Sequence, residues 1–186
     1  MTNQKSDRVQ RAHAGLIVVD MQERLLPAMF ERDRLVQNVL LLVKGSTILG
    51  IPLFATEQYR KGLGPTVPEI AGAVSEFAPV EKMAFSAAGA DGFLNSLRQR
   101  KLSEAILCGV EAHVCVSQTC LDLLAEGLRV FVVADAVSSR TAENHRIGLD
   151  RMRDAGALIV STEMILFELV EKAGTDEFKQ ILSLVK

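Results

Sequence analysis

Residues 105–120 read AILCGVEAHVCVSQTC, and the fold class can be predicted from their pattern. Its first six residues are continuously apolar, which is typical of a strand covered on both faces of a parallel sheet. The pattern then changes to a helical one, with Val116, Cys120 and Leu124 four residues apart. A buried strand that leads through a short turn into an amphipathic helix is the repeating unit of an α/β fold.

The same alternation continues on both sides of this unit. The predicted strands cover residues 15–19, 51–55, a weak 79–81, 105–110, 129–133 and 157–160. The predicted helices cover residues 32–49, 92–101, 114–126 and 142–154, and two more lie between 162 and 186 with a break at Gly174-Thr175. We therefore predict a three-layer αβα fold, in which a Rossmann-like six-stranded parallel sheet carries helices on both faces. Residues 14–186 form this single domain, and residues 1–13 are predicted to be a flexible tail.

Composition limits the classes of function. The 186 residues are 48% hydrophobic and 24% charged, which suits one domain with a sizeable core. A formal charge of −2 provides no positive field for nucleic acid or for an anionic membrane. The three cysteines are an odd number, no apolar run is long enough for a membrane helix, and the first residues lack a signal-peptide core. These features predict a cytoplasmic protein that acts on a small molecule.

Neither a nucleotide cofactor nor a metal is predicted. The Gly-Leu-Gly-Pro of residues 62–65 lies in a polar loop after the second strand, but neither GxGxxG nor a P-loop Lys-Thr follows the strand. The glycines are typical of turns. The three histidines, His13, His113 and His145, show no spacing of metal ligands.

Three polar residues stand where strands end, and parallel sheets bind ligands at that edge. Asp20 follows the first strand as a candidate base, Lys82 follows the third as its ion-pair partner, and Cys115 begins the helix after the fourth. A helix N-terminus favours the thiolate, which suits a nucleophile. Each has an ordinary alternative: Asp20 as a cap, Lys82 as a surface lysine, and Cys115 as a small buried residue.

The other candidates near the fourth strand fit structural roles better. Cys108 lies inside an apolar strand and Cys120 lies on the buried stripe of a helix, so both are predicted to be core residues. His113 is predicted to be a loop histidine with an ordinary hydrogen bond.

The combination of three motifs resembles one superfamily. VVDMQ at residues 18–22, EKMAFSA at 81–87 and GVEAHVCV at 109–116 resemble the isochorismatase-like cysteine hydrolases, which include nicotinamidases and N-carbamoylsarcosine amidohydrolases. The resemblance runs from about Gly15 to Val160. The loop TEQYRKGLGPTVPEI at residues 56–70 resembles the branch of isochorismatase-domain hydrolases without a characterised substrate.

This resemblance implies a catalytic triad of Asp20, Lys82 and Cys115. In the family, Asp takes the thiol proton, Lys stabilises the charges, and the sulfur attacks an electrophilic carbon. The resemblance also implies a cis peptide bond at Val110–Glu111, with the backbone N–H groups of Glu111 and Cys115 forming the oxyanion hole.

Two differences from the family affect the substrate. The second-strand loop has Glu57, Gln58 and Tyr59 where nicotinamidases carry metal-binding Asp and His, and nothing in the loops selects isochorismate. We therefore expect a metal-independent hydrolase of a small amide, ester or related substrate. By position, the residues expected to line the substrate are Gln22, Gln58, Tyr59 and Phe85.

Two other classes of function are left open by the sequence. The domain could be an interaction or regulatory module in which catalysis is secondary, or a redox thiol enzyme, although no resolving cysteine is evident. The apolar group Met164, Ile165, Leu166, Phe167 and Leu169 exceeds one helical stripe and predicts a homo-oligomer, a dimer or larger.

Overall fold

The predicted sheet is confirmed, with all six strands parallel. The computed structural model describes residues 7–186. The strands are β1 (Ala14–Val19), β2 (Leu53–Gln58), β3 (Val80–Lys82), β4 (Glu104–Val110), β5 (Arg129–Ser138) and β6 (Leu158–Val160). They lie in the order β3-β2-β1-β4-β5-β6. The chain order reverses between β1 and β4, and this is the place where such sheets bind ligands.

The helices also follow the sequence pattern, with several short additions in loops. The α-helices are α1 (Arg32–Leu49), α2 (Arg60–Leu63), α3 (Pro68–Ala71), α4 (Phe93–Gln99), α5 (Cys115–Ala125), α6 (Ala142–Asp154), α7 (Thr162–Val170) and α8 (Asp176–Val185). Thr141 and Thr175 cap α6 and α8 by accepting hydrogen bonds from the N–H groups of Asn144 and Phe178. Within residues 7–186, no helix has both the length and the apolar character that a membrane crossing needs.

The core lies in two layers because alternate strand residues point to opposite faces. On β1, Leu16 and Val18 pack in the layer that includes α1, α7 and α8. Ile17 and Val19 pack in the opposite layer, with α4, α5 and α6. Burial on both faces explains why the strands are continuously apolar.

Gly109 brings β4 unusually close to β1 at the functional edge of the sheet. Its φ is 114°, in the region that favours glycine, and a side-chain Cβ there would lie 2.1 Å from the carbonyl oxygen of Val19. The register of β4 with β5 also shifts between Leu107 and Gly109. Val19 at the end of β1 thereby pairs with Gly109, next to the end of β4.

Two expectations about the chain ends differ from the structure. Residues 1–6 of the predicted tail lie outside the described residues, but residues 9–13 are attached to the domain. The N–H groups of Val9 and Gln10 donate to Glu168 and Glu104 at 2.9 and 2.6 Å. Arg11 donates to the carbonyl oxygen of Leu49 and forms two hydrogen bonds with Glu177.

The apolar group at residues 164–169 does not form the exposed surface that the sequence predicted. Ile165, Leu166 and Leu169 are buried inside the chain, in the core shared with α1 and α8. Phe167 stacks edge to face on Phe178 of α8. Only Met164 in this group is strongly exposed. Helix α8 covers most of this apolar surface. The apolar pattern of one helix does not show which other helix packs against it.

Candidate active site

The three residues predicted at strand ends lie together at the carboxyl edge of the sheet. Asp20 directly follows β1, Lys82 ends β3, and Cys115 begins α5 after the turn that follows β4. All three are buried. Asp20 has a φ of 52°, a left-handed conformation that Asp adopts more readily than most residues, and this ends the strand.

A buried ion pair is the centre of the site. Lys82 Nζ lies 2.7 Å from Asp20 Oδ2, and both side chains are completely buried. The other oxygen, Oδ1, accepts a hydrogen bond of 2.8 Å from Thr56 Oγ1 on β2. Two partners on two strands therefore fix the carboxylate. Thr56 could not be predicted from the sequence, because a threonine inside a strand pattern carries no sign of this role.

The Lys82 ammonium is surrounded by oxygen acceptors. Besides Asp20, it donates to Gln58 Oε1 at 2.8 Å, to the carbonyl oxygen of Phe85 at 2.9 Å and to that of Ala84 at 3.3 Å. A buried charge is tolerated only when it is paired and hydrogen-bonded in this way. The chain after β3 folds back over the ammonium, so the charge is held in one position.

Two of the four residues predicted to line the substrate, Gln22 and Gln58, hold parts of the site together. The Gln22 side-chain amide donates to the carbonyl oxygens of Gln58 and Gly64 and accepts from the Gln58 N–H, at 3.0, 2.7 and 2.7 Å. Gln58 bridges Lys82 and the carbonyl oxygen of Met83. Gln22 thus ties the β1 turn to the loop after β2, and Gln58 holds the lysine.

The other two predicted lining residues, Tyr59 and Phe85, are about half exposed at 49% and 52%. A cavity of about 360 Å³ is bounded by Tyr59, Lys82 and Met83 among others. A second cavity, of about 340 Å³, lies between Phe30 and His145, and no member of the predicted triad lines it. The contact of Tyr59 and Phe85 with substrate stays a prediction.

The Cys115 thiol does not behave as the helix N-terminus alone predicts. Its pKa is raised to about 12, chiefly by burial. The negative charge of Asp20, a hydrogen bond with Asp20 and the charge of Glu111 act in the same direction, and the positive charge of Lys82 opposes them. Desolvation and the nearby carboxylates therefore favour the neutral thiol, whereas the helix N-terminus by itself favours the thiolate. The pKa of Cys120 is raised to about 12 and that of Cys108 is also raised, both by burial, as expected of core thiols.

The turn before Cys115 has the backbone form that the resemblance implies. The Val110–Glu111 peptide bond is cis. The Glu111 carbonyl accepts from the N–H groups of Val114 and Val116, at 3.0 and 3.1 Å. Among residues 7–186, no hydrogen bond from the N–H group of Glu111 or of Cys115 to a protein acceptor is found. His113 Nδ1 lies 2.9 Å from Ser139 Oγ, the ordinary contact expected of it.

Glu57, at the position where the sequence differs from nicotinamidases, is fully engaged by protein groups. Its Oε1 accepts from the N–H and hydroxyl of Thr66 at 2.7 and 2.8 Å, and its Oε2 pairs with Arg60 at 2.8 Å. Across residues 7–186, no three side chains of His, Cys, Asp or Glu come together as a metal site.

Comparison with known proteins places the chain among isochorismatase-domain proteins. The model of the isochorismatase domain matches residues 14–164. Isochorismatase domain-containing protein 2 of Danio rerio is 40% identical over 179 residues, covering 96% of this chain and 89% of that protein. A secreted isochorismatase effector of Phytophthora sojae is 40% identical over 177 residues, covering 92% of this chain and 83% of that protein.

Solved structures agree over nearly the whole chain. MAR1 ribonuclease of Caenorhabditis elegans is 36% identical with a TM-score of 0.90, covering 96% of this chain and 92% of that one. YcaC of Pseudomonas aeruginosa, solved with covalent acrylamide, is 27% identical with a TM-score of 0.89 and covers 96% and 91%. The YcaC product of Escherichia coli, described as an octameric hydrolase of unknown specificity, is 25% identical with the same TM-score and covers the same shares.

Proposed function

Because this chain belongs to the isochorismatase family of hydrolases, we propose that it is a metal-independent cysteine hydrolase of a small amide, ester or related substrate. In this proposal Cys115 is the nucleophile, Asp20 is the base and Lys82 is their electrostatic partner. The observation that carries the proposal is the fully buried Asp20–Lys82 pair beside the Cys115 thiol. Burying such an ion pair next to a thiol costs desolvation free energy. The pair has a chemical use at this position, because its carboxylate can accept the proton of the thiol.

The first half of the reaction forms a thioester. The neutral thiol gives its proton to Asp20 as the sulfur attacks the substrate carbonyl carbon, so no free thiolate accumulates at rest. The developing oxyanion accepts hydrogen bonds from the N–H groups of Glu111 and Cys115. The C–N or C–O bond then breaks, and Asp20 returns its proton to the leaving group.

The second half restores the enzyme. A water molecule attacks the thioester carbonyl while Asp20 takes one of its protons, and the same two N–H groups hold the new oxyanion. The C–S bond breaks, the sulfur recovers the proton from Asp20, and a carboxylic acid leaves. Lys82 keeps its charge throughout and stabilises the carboxylate whenever that group is ionised.

The test uses three single variants and a panel of amide and ester substrates. We expect Cys115→Ala and Cys115→Ser to lose at least about a thousandfold in kcat/KM, in line with the loss of a nucleophile. Cys120→Ala removes a thiol from the same helix outside the site and is the matched control, which retains turnover. Full activity in both Cys115 variants would refute the nucleophile assignment.

A covalent probe tests the site without a known substrate. Acrylamide bound covalently in the YcaC structure from P. aeruginosa suggests this probe, because it adds to thiols and carries an amide. We expect mass spectrometry after peptide digestion to find the adduct at Cys115 before Cys108 or Cys120. A Cys115 that stays unmodified, together with no turnover of any substrate, favours the interaction or regulatory module.

Turnover that survives dialysis against EDTA is expected of the metal-independent reaction.

RNA is the second candidate substrate, since the C. elegans relative is named a ribonuclease. The formal charge of −2 argues against it, because phosphate backbones are bound mainly by positive charge. We expect purified protein to leave single-stranded RNA intact. Cleavage that disappears in Cys115→Ala would replace the amide or ester assignment with this one.

Assembly and location complete the proposal. We propose a homo-oligomer, supported by the octameric E. coli relative and by the exposed Tyr59, Met83 and Phe85 beside the site. Light scattering coupled to size-exclusion chromatography measures this directly, and a monomer contradicts it.

We also propose a cytoplasmic location, because all three cysteines are free thiols. The P. sojae relative is a secreted effector, so fractionation of the source cells decides this point.

A further inference from the structure

A loop from β5 holds the turn that carries the proposed oxyanion hole. Ser138 at the end of β5 and the two residues after it contact three consecutive residues of the turn. The carbonyl oxygen of Ser138 accepts from the Ala112 N–H at 2.7 Å. Ser139 Oγ lies 2.9 Å from His113 Nδ1. Arg140 then reaches Glu111.

The Arg140–Glu111 contact differs from the surface ion pairs of this protein. Arg140 Nε donates to Glu111 Oε1 at 2.6 Å, and Nη2 donates to Oε2 at 3.3 Å, so the guanidinium engages both oxygens. The Glu111 side chain is only 8% exposed, whereas Arg140 is 63% exposed. A buried carboxylate is therefore neutralised by a cation that reaches it from solvent.

Because of where Glu111 lies, its pairing with Arg140 affects both the proposed oxyanion hole and the Cys115 thiol. Its backbone N–H is one of the two groups assigned to the oxyanion, and its carboxylate acts on the Cys115 thiol. An unpaired negative charge there opposes both the ionising sulfur and the oxyanion. The other charged groups that act on the thiol are Asp20 and Lys82, and these already pair with each other.

We propose that Arg140 is a positioning residue that acts through Glu111. It keeps the Glu111 N–H directed at the reacting carbonyl and keeps the Glu111 charge away from the sulfur and the oxyanion. Arg140 does not touch the thiol in this assignment. The effect of Arg140 on turnover rests on the proposed function. Its electrostatic effect, through Glu111, concerns the Cys115 thiol alone.

The experiment measures alkylation of Cys115 by iodoacetamide, a neutral reagent, from pH 7.5 to pH 10 in the intact protein. The variants are Arg140→Ala, Glu111→Gln and the double variant, with Arg98→Ala as the control for an exposed arginine paired to Glu126. We expect Arg140→Ala to slow alkylation about tenfold at each pH, as a shift of one pKa unit does. Glu111→Gln and the double variant are expected to react at least as fast as the wild type, because the neutral amide removes the unpaired charge.

Rescue in the double variant separates this role from a merely structural one. If Arg140 only supported the loop, the double variant would stay as slow as Arg140→Ala, and that result overturns the proposal. Unchanged alkylation in Arg140→Ala also overturns it. Where turnover is measured, Arg140→Ala is expected to lower kcat more than it raises KM.

Failure of the proposed function looks different. In that case Cys115→Ala retains turnover, or no substrate is found, while the four-variant alkylation pattern still holds. Thermal unfolding of each variant shows that the alkylation rates are compared between folded proteins.

Discussion

Replacing Lys82 by Met tests whether the buried ion pair is as strongly coupled as its geometry indicates. Met keeps an unbranched chain of similar length but removes the ammonium. Asp20 then becomes a fully buried carboxylate without its cation, and three further oxygens lose the donor they share, on Gln58, Ala84 and Phe85. Removing one partner of a buried pair costs about 3–5 kcal/mol.

The size of the effect can be measured as a melting temperature. A protein of this length changes its Tm by about 2–4 °C per kcal/mol, so the expected loss is roughly 6–20 °C. The same variant loses hydrolysis, because the carboxylate that receives the thiol proton has lost its partner. Urea denaturation monitored by circular dichroism gives the free energy of unfolding independently of Tm.

The matched control and the double variant make the reasoning refutable. Lys179→Met removes an ammonium 2.9 Å from Asp176, where both side chains are exposed, and is expected to change stability by less than about 0.5 kcal/mol. Asp20→Asn with Lys82→Met is expected to be more stable than Lys82→Met alone by about 1–3 kcal/mol, because the unpaired charge is gone. A Lys82→Met variant as stable as Lys179→Met, or a double variant no more stable than the single one, contradicts the assignment.

Three further predictions follow from the packing around the site. Gly148→Ala places a Cβ 2.7 Å from the carbonyl oxygen of Ala112 in the turn before Cys115, so we expect a loss of about 1–3 kcal/mol in urea denaturation and slower Cys115 alkylation. Unchanged alkylation would show that α6 does not position this turn. Thr56→Val keeps the side-chain shape but removes the 2.8 Å hydrogen bond to Asp20, and is expected to lower the free energy of unfolding by about 1.5–3 kcal/mol. The third prediction concerns alkaline pH, because burial raises the pKa of the Cys120 thiol to about 12, above the value of about 9 for an unburied thiol. The unfolded state therefore binds fewer protons between these values, so stability falls as the pH rises, by about 1.4 kcal/mol per pH unit for each such thiol. Cys120→Ala is expected to reduce the slope by about 1 kcal/mol per pH unit between pH 9 and 10.5, where the unfolded thiol goes from half to almost fully ionised, and an unchanged slope would contradict the raised pKa.

The sequence indicated Asp20, Lys82 and Cys115 because a position relative to a strand is a local property. Each follows a short apolar run, and parallel strands bring their carboxyl ends to one edge. The residues that serve the site from elsewhere could not be predicted in this way. Thr56 lies inside a strand pattern, and Arg140 lies in a polar loop distant in sequence from the residue it contacts.

Local sequence patterns also do not show how surrounding residues change the pKa or the hydrogen bonds of a side chain. The position of Cys115 at a helix start predicts an ionised thiol, but burial and the carboxylates around it raise its pKa. Gln22 and Gln58 are polar residues near the site by position, yet their amides are used on the framework. In each case the missing information is the set of groups that surround the side chain.

The three-layer fold, the parallel sheet and the edge at which the candidate chemistry lies could be predicted from the amino-acid sequence. These follow from the periodicity of apolar residues and from the order of strands and helices, which are written along the chain. The tertiary structure was needed to show that Lys82 donates to Asp20 at 2.7 Å in full burial, that burial raises the pKa of Cys115, and that Arg140 pairs with Glu111. Burial, electrostatics and hydrogen-bond geometry depend on distances between residues far apart in the chain, and those distances exist only once the chain is folded.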